Sequence, residues 1–274
     1  MRICAVRRKE CFSPNSIEND AAILDEVTAI LRSIGHEVTV IGEDSDVLLH
    51  YNSPSDKKSL FDAWLSMGRM LSTLSVLKSE QQCGSLVINS GFGVENCRRD
   101  VLRHLMRDAG IPMPDDVGDN GYWVKRADMA AQSHEDVVFA HNKEQADEVI
   151  ARFTARGIHE VVVQAHVTGD VVKFYGVQGT GFFRIFYPGD DEMTKFGDEF
   201  INGRPHHYAF DPACLQRHAE QLSCLAEVKV YGGDCVVSKS GDYRIIDFND
   251  WPSFSRCRHD AAVAIASLLI PYSS

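Results

Sequence analysis

Two apolar stretches near the end of the chain, residues 228–238 and 243–249, are separated only by Lys239-Ser240-Gly241-Asp242. Strands joined this closely must pair antiparallel, because a parallel pair needs a crossover of about a dozen residues or more. The second stretch, Tyr-Arg-Ile-Ile-Asp-Phe-Asn-Asp, begins as a core strand and ends in an acid, an amide and another acid ahead of Trp251-Pro252. Asp and Asn are depleted in strands, and a carboxylate withdrawn from water needs a partner. A two-residue turn at Ser240-Gly241 sets Ser238 against Tyr243, Val236 against Ile245 and Asp234 against Asp247. Asn249 follows two residues later on the same face, diagonal to Asp234. Opposed residues on antiparallel strands have Cβ atoms about 4.5–5.5 Å apart, where like charges destabilise. A divalent cation resolves the conflict, since Mg²⁺ takes hard oxygen ligands from a few carboxylates together with substrate phosphates. Asp234, Asp247 and Asn249 are therefore candidate ligands for Mg²⁺, or for Mn²⁺ in its place. The competing reading leaves Asp234 exposed at a strand start after Gly232-Gly233 and lets Asn249-Asp250 open a turn.

With 274 residues, 44% of them hydrophobic, the chain can bury one large core or several small ones. Its formal net charge of −11 argues against a sequence-independent nucleic-acid binder, though not against a local basic pocket for phosphates. No apolar run reaches membrane-spanning length, and Arg7, Arg8 and Lys9 interrupt the amino terminus too early for a signal-peptide core. The eight cysteines form no Cys-x-x-Cys pair, which disfavours zinc and thioredoxin-like chemistry. Reduced thiols in a cytoplasm are the expectation.

Ile3 to Val6 is a short apolar run. Ile17, Ala21, Leu24, Val27, Leu31 and Ile34 then recur at helical spacing, and residues 38–41 are apolar again. Asn15 with Glu18 resembles a capping box, and Gly35 supplies the stop. This strand–helix–strand opening predicts a parallel sheet. Further strands are expected over 47–51 and 85–89, with a helix over 60–77 between them, and the first unit ends near Phe92. Beyond it, helices are expected over 95–109, 143–156, 212–227 and 261–269. The remaining strands are expected over 122–125, 136–140, 160–166, 171–177 and 181–187, before the closing hairpin.

Lys125 ends the run Tyr122-Trp123-Val124, and Lys173 opens Phe174-Tyr175-Gly176-Val177. A lysine on a partly buried strand can hold its ammonium in a cleft as a point charge for phosphate. Either lysine alone is more often a snorkelling surface residue. Beside an acidic metal hairpin, the two together point to a nucleotide cleft. Neither Gly-x-x-x-x-Gly-Lys-Ser/Thr nor a strand-borne Gly-x-Gly-x-x-Gly occurs, which disfavours P-loop and dinucleotide-binding readings.

Taken in order, these elements resemble the ATP-grasp superfamily over nearly the whole chain. The most specific likeness is Asp234 followed by Ile246-Asp247-Phe248-Asn249-Asp250-Trp251-Pro252, similar to that family's metal-binding acidic strand pair. Trp123-Val124-Lys125-Arg126 resembles its phosphate-binding strand. Val162-Val163-Gln164-Ala165-His166-Val167 resembles the hinge whose backbone reads adenine, and Lys173 lies on the strand that follows. Arg99 stands where the family presents a lysine to ATP. The loop after Lys125 lacks the family's phosphate-covering glycines, Asp247 is shorter than the usual Glu, and Ser253 replaces a frequent Gly.

The resemblance implies an α/β chain: a small Rossmann-like N-terminal domain over residues 1–92, then a two-lobed ATP-grasp domain. Its central lobe would span 93–168, and its C-terminal lobe, with the metal site, 169–274. The resemblance extends to carboxylate–amine ligases like glutathione synthetase and the ribosomal-protein glutamate ligases. It implies an ADP-forming reaction that phosphorylates a carboxylate and passes the acyl group to an amine or thiol. In it Arg99, Lys125, Lys173 and the hinge residues Gln164, Ala165, His166 and Val167 would hold ATP, and Arg184 would stabilise the acyl-phosphate charge. Arg7, Ser13, Asn15 and Arg256 are candidate contacts for a small-molecule or peptide substrate, with helix capping the competing role for Ser13-Pro14-Asn15. Two rivals are a polyol-phosphate kinase on the same fold and a non-catalytic ATP-binding module.

Overall fold

The computed structural model describes residues 1–51, 59–128, 131, 133–190 and 201–270, and its chain is carried by three sheets. Ile3 to Val6 are all fully buried, as an unbroken apolar run in a parallel strand should be. This strand, β1 (Arg2–Arg7), leads into α1 (Ile17–Ser33), β2 (Glu37–Gly42), the one-turn α2 (Asp46–Leu49), β3 (Ala63–Ser66), α3 (Leu71–Gln82) and β4 (Leu86–Ile88). The strands pair parallel in the order β2-β1-β3-β4, so the chain leaves β1 first to one side and later to the other. The carboxyl ends of β1 and β3 thus flank a topological switch point, the place where open α/β sheets form a crevice.

Two short α-helices, α4 (Gly91–Asn96) and α5 (Arg99–Asp108), precede the second sheet, in which β5 (Tyr122–Arg126) lies antiparallel between β6 (Val137–Ala140) and β7 (Val161–Ala165). The helix between β6 and β7, α6 (Lys143–Ala155), covers this sheet with Ala146, Val149 and Phe153. The third sheet, of order β11-β10-β8-β9, contains β8 (Asp170–Val177) and β9 (Phe182–Phe186). After α7 (Pro212–Leu225) come β10 (Val230–Val237) and β11 (Tyr243–Asp250), and α8 (Arg258–Ser267) is the last element. One face of this sheet buries Val172, Phe174 and Phe248 against α5 and α7. Its other face shares a core with α8, α1 and the first sheet through Tyr175, Val177, Trp251 and Phe254.

Three expectations about local structure are corrected. Residues 47–51 contain α2 in place of a strand: Val47 and Leu49 are exposed while Leu48 is buried, and Asp46 supplies an acidic first turn. The single helix expected over 60–77 is a strand followed by a helix. Ala63 to Ser66 are buried on both faces, so the run carries no period to distinguish strand from helix. The helix expected over 95–109 is interrupted at Arg98, whose backbone is extended (φ −63°, ψ 140°).

A buried amide helps to tie the first sheet to the third. Asn89, 1% exposed at the end of β4, donates from Nδ2 to the Val230 carbonyl at 2.7 Å and accepts from the Val230 N–H at 2.9 Å. It completes with a side chain the pair of bonds that a neighbouring strand would make. Gly93 brings α4 against the same joint, since a Cβ there would run into the Glu227 carbonyl. Asn89→Ala leaves the Val230 N–H unpaired, while the Val230 carbonyl keeps the Trp251 N–H at 2.9 Å, and urea denaturation is expected to show a loss of about 1–3 kcal/mol.

Candidate functional site

The hairpin between β10 and β11 closes through three residues instead of two. Gly241, at φ 87°, lets its N–H donate to the Ser238 carbonyl at 2.9 Å, and the Ser238 N–H donates to Asp242 at 2.8 Å. This is a type I turn followed by a left-handed glycine. Near the turn, Val237 faces Tyr243 and Cys235 faces Ile245, one residue away from the expected register. A bulge at Ile246 then inserts one extra residue, and Asp234 faces Asp247 as expected. The two one-residue shifts cancel at the opposed acids. The bulge also releases the Ile246 carbonyl from the ladder, where it accepts from Lys125 Nζ at 2.7 Å.

Cations surround the opposed acids. Lys173 lies beside Asp234 in the β8–β10 register, and its ammonium is 2.6 Å from Asp234 Oδ1. Arg99 Nε stands 3.5 Å from Asp247 Oδ1, while Arg99 Nη1 donates to the Arg126 carbonyl at 2.9 Å. Asn249 donates from Nδ2 to Asp247 Oδ2 at 3.1 Å, which leaves its Oδ1 as a further oxygen donor. Burial alone would raise the Asp247 carboxyl, yet Arg99, Lys125, the Asn249 amide and Lys173 outweigh it and hold the group below the usual carboxylate value. Among the described residues no group of three His, Cys, Asp or Glu side chains gathers as a metal cage. A cation here would rest on two carboxylates and an amide oxygen, with the remaining ligands supplied by a bound anion. That donor set is chemically suited to Mg²⁺. Arg99 Nε, buried without a hydrogen bond, is a donor suited to such an anion.

These groups line a cleft of about 620 Å³. Arg99, Lys125, Lys173, Asp234, Asp247 and Asn249 share it with Gln164, Ala165 and Val167 of the hinge stretch, and with Asn15 and Arg256. Four expected site residues lie elsewhere. Arg7 turns outward to Asp25 at 2.6 Å, because successive residues at a strand end point to opposite sides. The buried Ser13 hydroxyl donates to Asp20 at 2.7 Å and so fixes the first loop. The His166 ring accepts from Trp123 Nε1 at 3.1 Å, outside the cleft lining. Arg184, on edge strand β9, pairs with Asp260 of α8 at 3.2 Å over the Phe182 ring, away from the acids.

In their place the cleft gains Arg8 and Arg69, which follow β1 and β3 at the carboxyl edge of the parallel sheet. Arg8 binds Asp20 at 3.0 Å, Asp250 at 3.4 Å and the Trp251 carbonyl at 2.9 Å, and Arg69 meets Asp250 at 2.5 Å. Glu43, after β2, accepts from the backbone N–H groups of Lys9 at 2.7 Å and of Arg69 and Met70 at 2.6 Å. Asp250 thus points away from the face of Asp247 and Asn249, as alternation in β11 requires, and is 3% exposed. Arginines just beyond two parallel strands were the available signal for this cluster, but reading 60–77 as one helix hid the second strand. Asp250→Ala leaves two buried guanidinium groups without their shared partner, and denaturation is expected to show a loss of about 3–5 kcal/mol. Arg7→Ala, removing an exposed ion pair, should change stability by less than about 1 kcal/mol.

No protein-family model and no curated protein matches the sequence. Solved structures do match over nearly the whole chain. A RimK domain protein ATP-grasp from Sphaerobacter thermophilus is 16% identical at a TM-score of 0.67, covering 97% of this chain and 98% of its own. The D-alanine–D-alanine ligase from Bacillus anthracis, complexed with ATP, is 14% identical at a TM-score of 0.62, covering 98% of each chain. The ATP-grasp ligase PsnB, complexed with a minimal precursor, is 18% identical at a TM-score of 0.59, covering 96% of this chain and 98% of its own. With its parallel sheet and its antiparallel sheets, and these likenesses over nearly the whole chain, the chain has the ATP-grasp fold.

Proposed function

We propose that the protein is an ATP-dependent, ADP-forming ligase that joins a carboxylate to an amine. The observation that carries this reading is the opposed pair Asp234–Asp247, set in a cleft with Lys125, Lys173 and Arg99. Residues 1–92, 93–168 and 169–274 are the working units, with the nucleotide between the last two. The Ala165 and His166 amides are engaged with the Asp115 and Gly121 carbonyls, both at 2.8 Å, so adenine reading falls to the Val167 N–H and the carbonyls of this stretch. Lys125, Lys173 and Arg99 hold the phosphates, and Lys173 exchanges Asp234 for them as they enter.

A carboxylate oxygen of the substrate attacks the γ-phosphorus, the bond to the β,γ-bridging oxygen breaks, and ADP leaves with the electron pair. The amine nitrogen then attacks the acyl carbon, phosphate departs with the carbon–oxygen bonding pair, and the amine proton passes to solvent or phosphate. The protein supplies position and charge neutralisation, and no side chain serves as nucleophile. Mg²⁺ on Asp234, Asp247 and Asn249 would neutralise the β- and γ-phosphates. The minimal precursor bound to PsnB makes a peptide one candidate acceptor here, alongside free amino acids. All eight cysteines are free thiols, which fits a cytoplasmic reaction, and among the described residues no helix is long and apolar enough to cross a membrane.

ADP release measured with Mg·ATP separates the readings. Release that needs both a carboxylate and an amine is expected, and release driven by polyol phosphates alone would sink the ligase in favour of the kinase. Asp247→Asn removes a charge aimed at the metal and is expected to lower kcat by about 100-fold or more. Unchanged turnover in that variant would remove the metal assignment.

A further inference from the structure

Arg69 is fixed in an unusual way for a cleft arginine. Its own N–H and that of Met70 are both held by Glu43 Oε1 at 2.6 Å, so the backbone that carries it is anchored. Its guanidinium meets one residue, Asp250: Nε donates to Oδ2 at 3.4 Å, and Nη2 donates to Oδ1 at 2.5 Å and to the carbonyl at 3.3 Å. Among the described residues no protein atom accepts from Nη1, and Arg69 lines the cleft. Arg8 differs, because Nε, Nη1 and Nη2 are all used, on Met67, on Asp20 and on the Asp250–Trp251 segment. Asp250 directly follows Asn249, so Arg69 stands beside the strand that carries the candidate metal ligands.

The surrounding charge gives this donor its chemistry. Arg8 and Arg69 are balanced by Asp20 and Asp250, so the position offers directed donors without a strong net positive field. Such a site suits a singly charged planar anion and lacks the excess charge that a polyphosphate would need. With Nε and Nη2 taken by Asp250, Nη1 is left to give a carboxylate oxygen a charge-assisted hydrogen bond.

We propose that Arg69, delivered from the N-terminal sheet and oriented by Asp250, binds through Nη1 the carboxylate of the substrate that accepts the phosphoryl group. This rests on the ligase reading. Acetate, a planar monoanion, and inorganic phosphate, tetrahedral and more highly charged, serve as contrasting probes.

The test uses the full chain with Mg²⁺ and a non-hydrolysable ATP analogue, and follows tryptophan fluorescence as acetate or phosphate is titrated. The wild type should bind the analogue and respond saturably to acetate but not to phosphate. Arg69→Gln should retain analogue affinity within about threefold and weaken acetate by about 10- to 100-fold, the range for a lost charge-assisted hydrogen bond. Arg69→Lys keeps the charge beside Asp250 without the fork, and should weaken acetate too. An acetate response unchanged in both variants, no acetate response in the wild type, or a response to phosphate alone overturns the proposal. Equal loss of analogue and acetate affinity overturns it as well, by placing Arg69 on the nucleotide. Absence of analogue binding in the wild type defeats the ligase reading itself. If neither variant folds, phenylglyoxal modification of wild-type Arg69, mapped by mass spectrometry, decides. Acetate should slow it, and an unaltered rate overturns the assignment.

Discussion

Two carboxylates face each other across an antiparallel pair at Asp234 and Asp247, and the cleft is organised around that opposition. Left alone, the pair would repel. Lys173 answers one acid and Arg99 the other, each from a different element, while Asn249 bonds the second acid from its own strand. Lys125 stands behind them on the carbonyl that the bulge exposes. A chain that keeps two acids this close, and surrounds them with cations from β5, α5 and β8, holds a site ready for exchange. An entering polyanion can take the cations while a metal takes the acids.

The closing hairpin was legible because its pattern is short-range: alternation, a glycine turn and polar residues at a strand end. Even so, the expected register near Gly241 was off by one, and the bulge at Ile246 restored the pairing farther along. Bulges leave no reliable mark in one sequence, since the extra residue here is an ordinary isoleucine. The order of the elements and the place of Lys125 and Lys173 in the cleft were likewise within reach of local patterns.

The N-terminal half of the cleft was not. Choosing Arg8 over Arg7 depends on where β1 stops and which way its last side chains turn, and that is decided by packing. Finding Arg69 depended on recognising β3, a four-residue strand buried on both faces and therefore without period. The position of Arg184 was hidden for a related reason: its strand lies at the sheet edge, and the face it shares with α8 is set by tertiary contact. Asp250 sits next to a candidate ligand in sequence, yet its partners come from the opposite end of the chain.

That last fact bears on how the protein comes to exist. Arg8 and Asp250 are 242 residues apart, and Asn89 and Val230 are 141 apart. Contacts of such separation form only after the intervening chain has been ordered, and they slow folding. The cleft is consequently among the last features to be assembled, and a partly folded chain has no such cleft to offer a ligand. Any ligand that binds across it stabilises the finished molecule alone, by mass action, and leaves earlier species undefended.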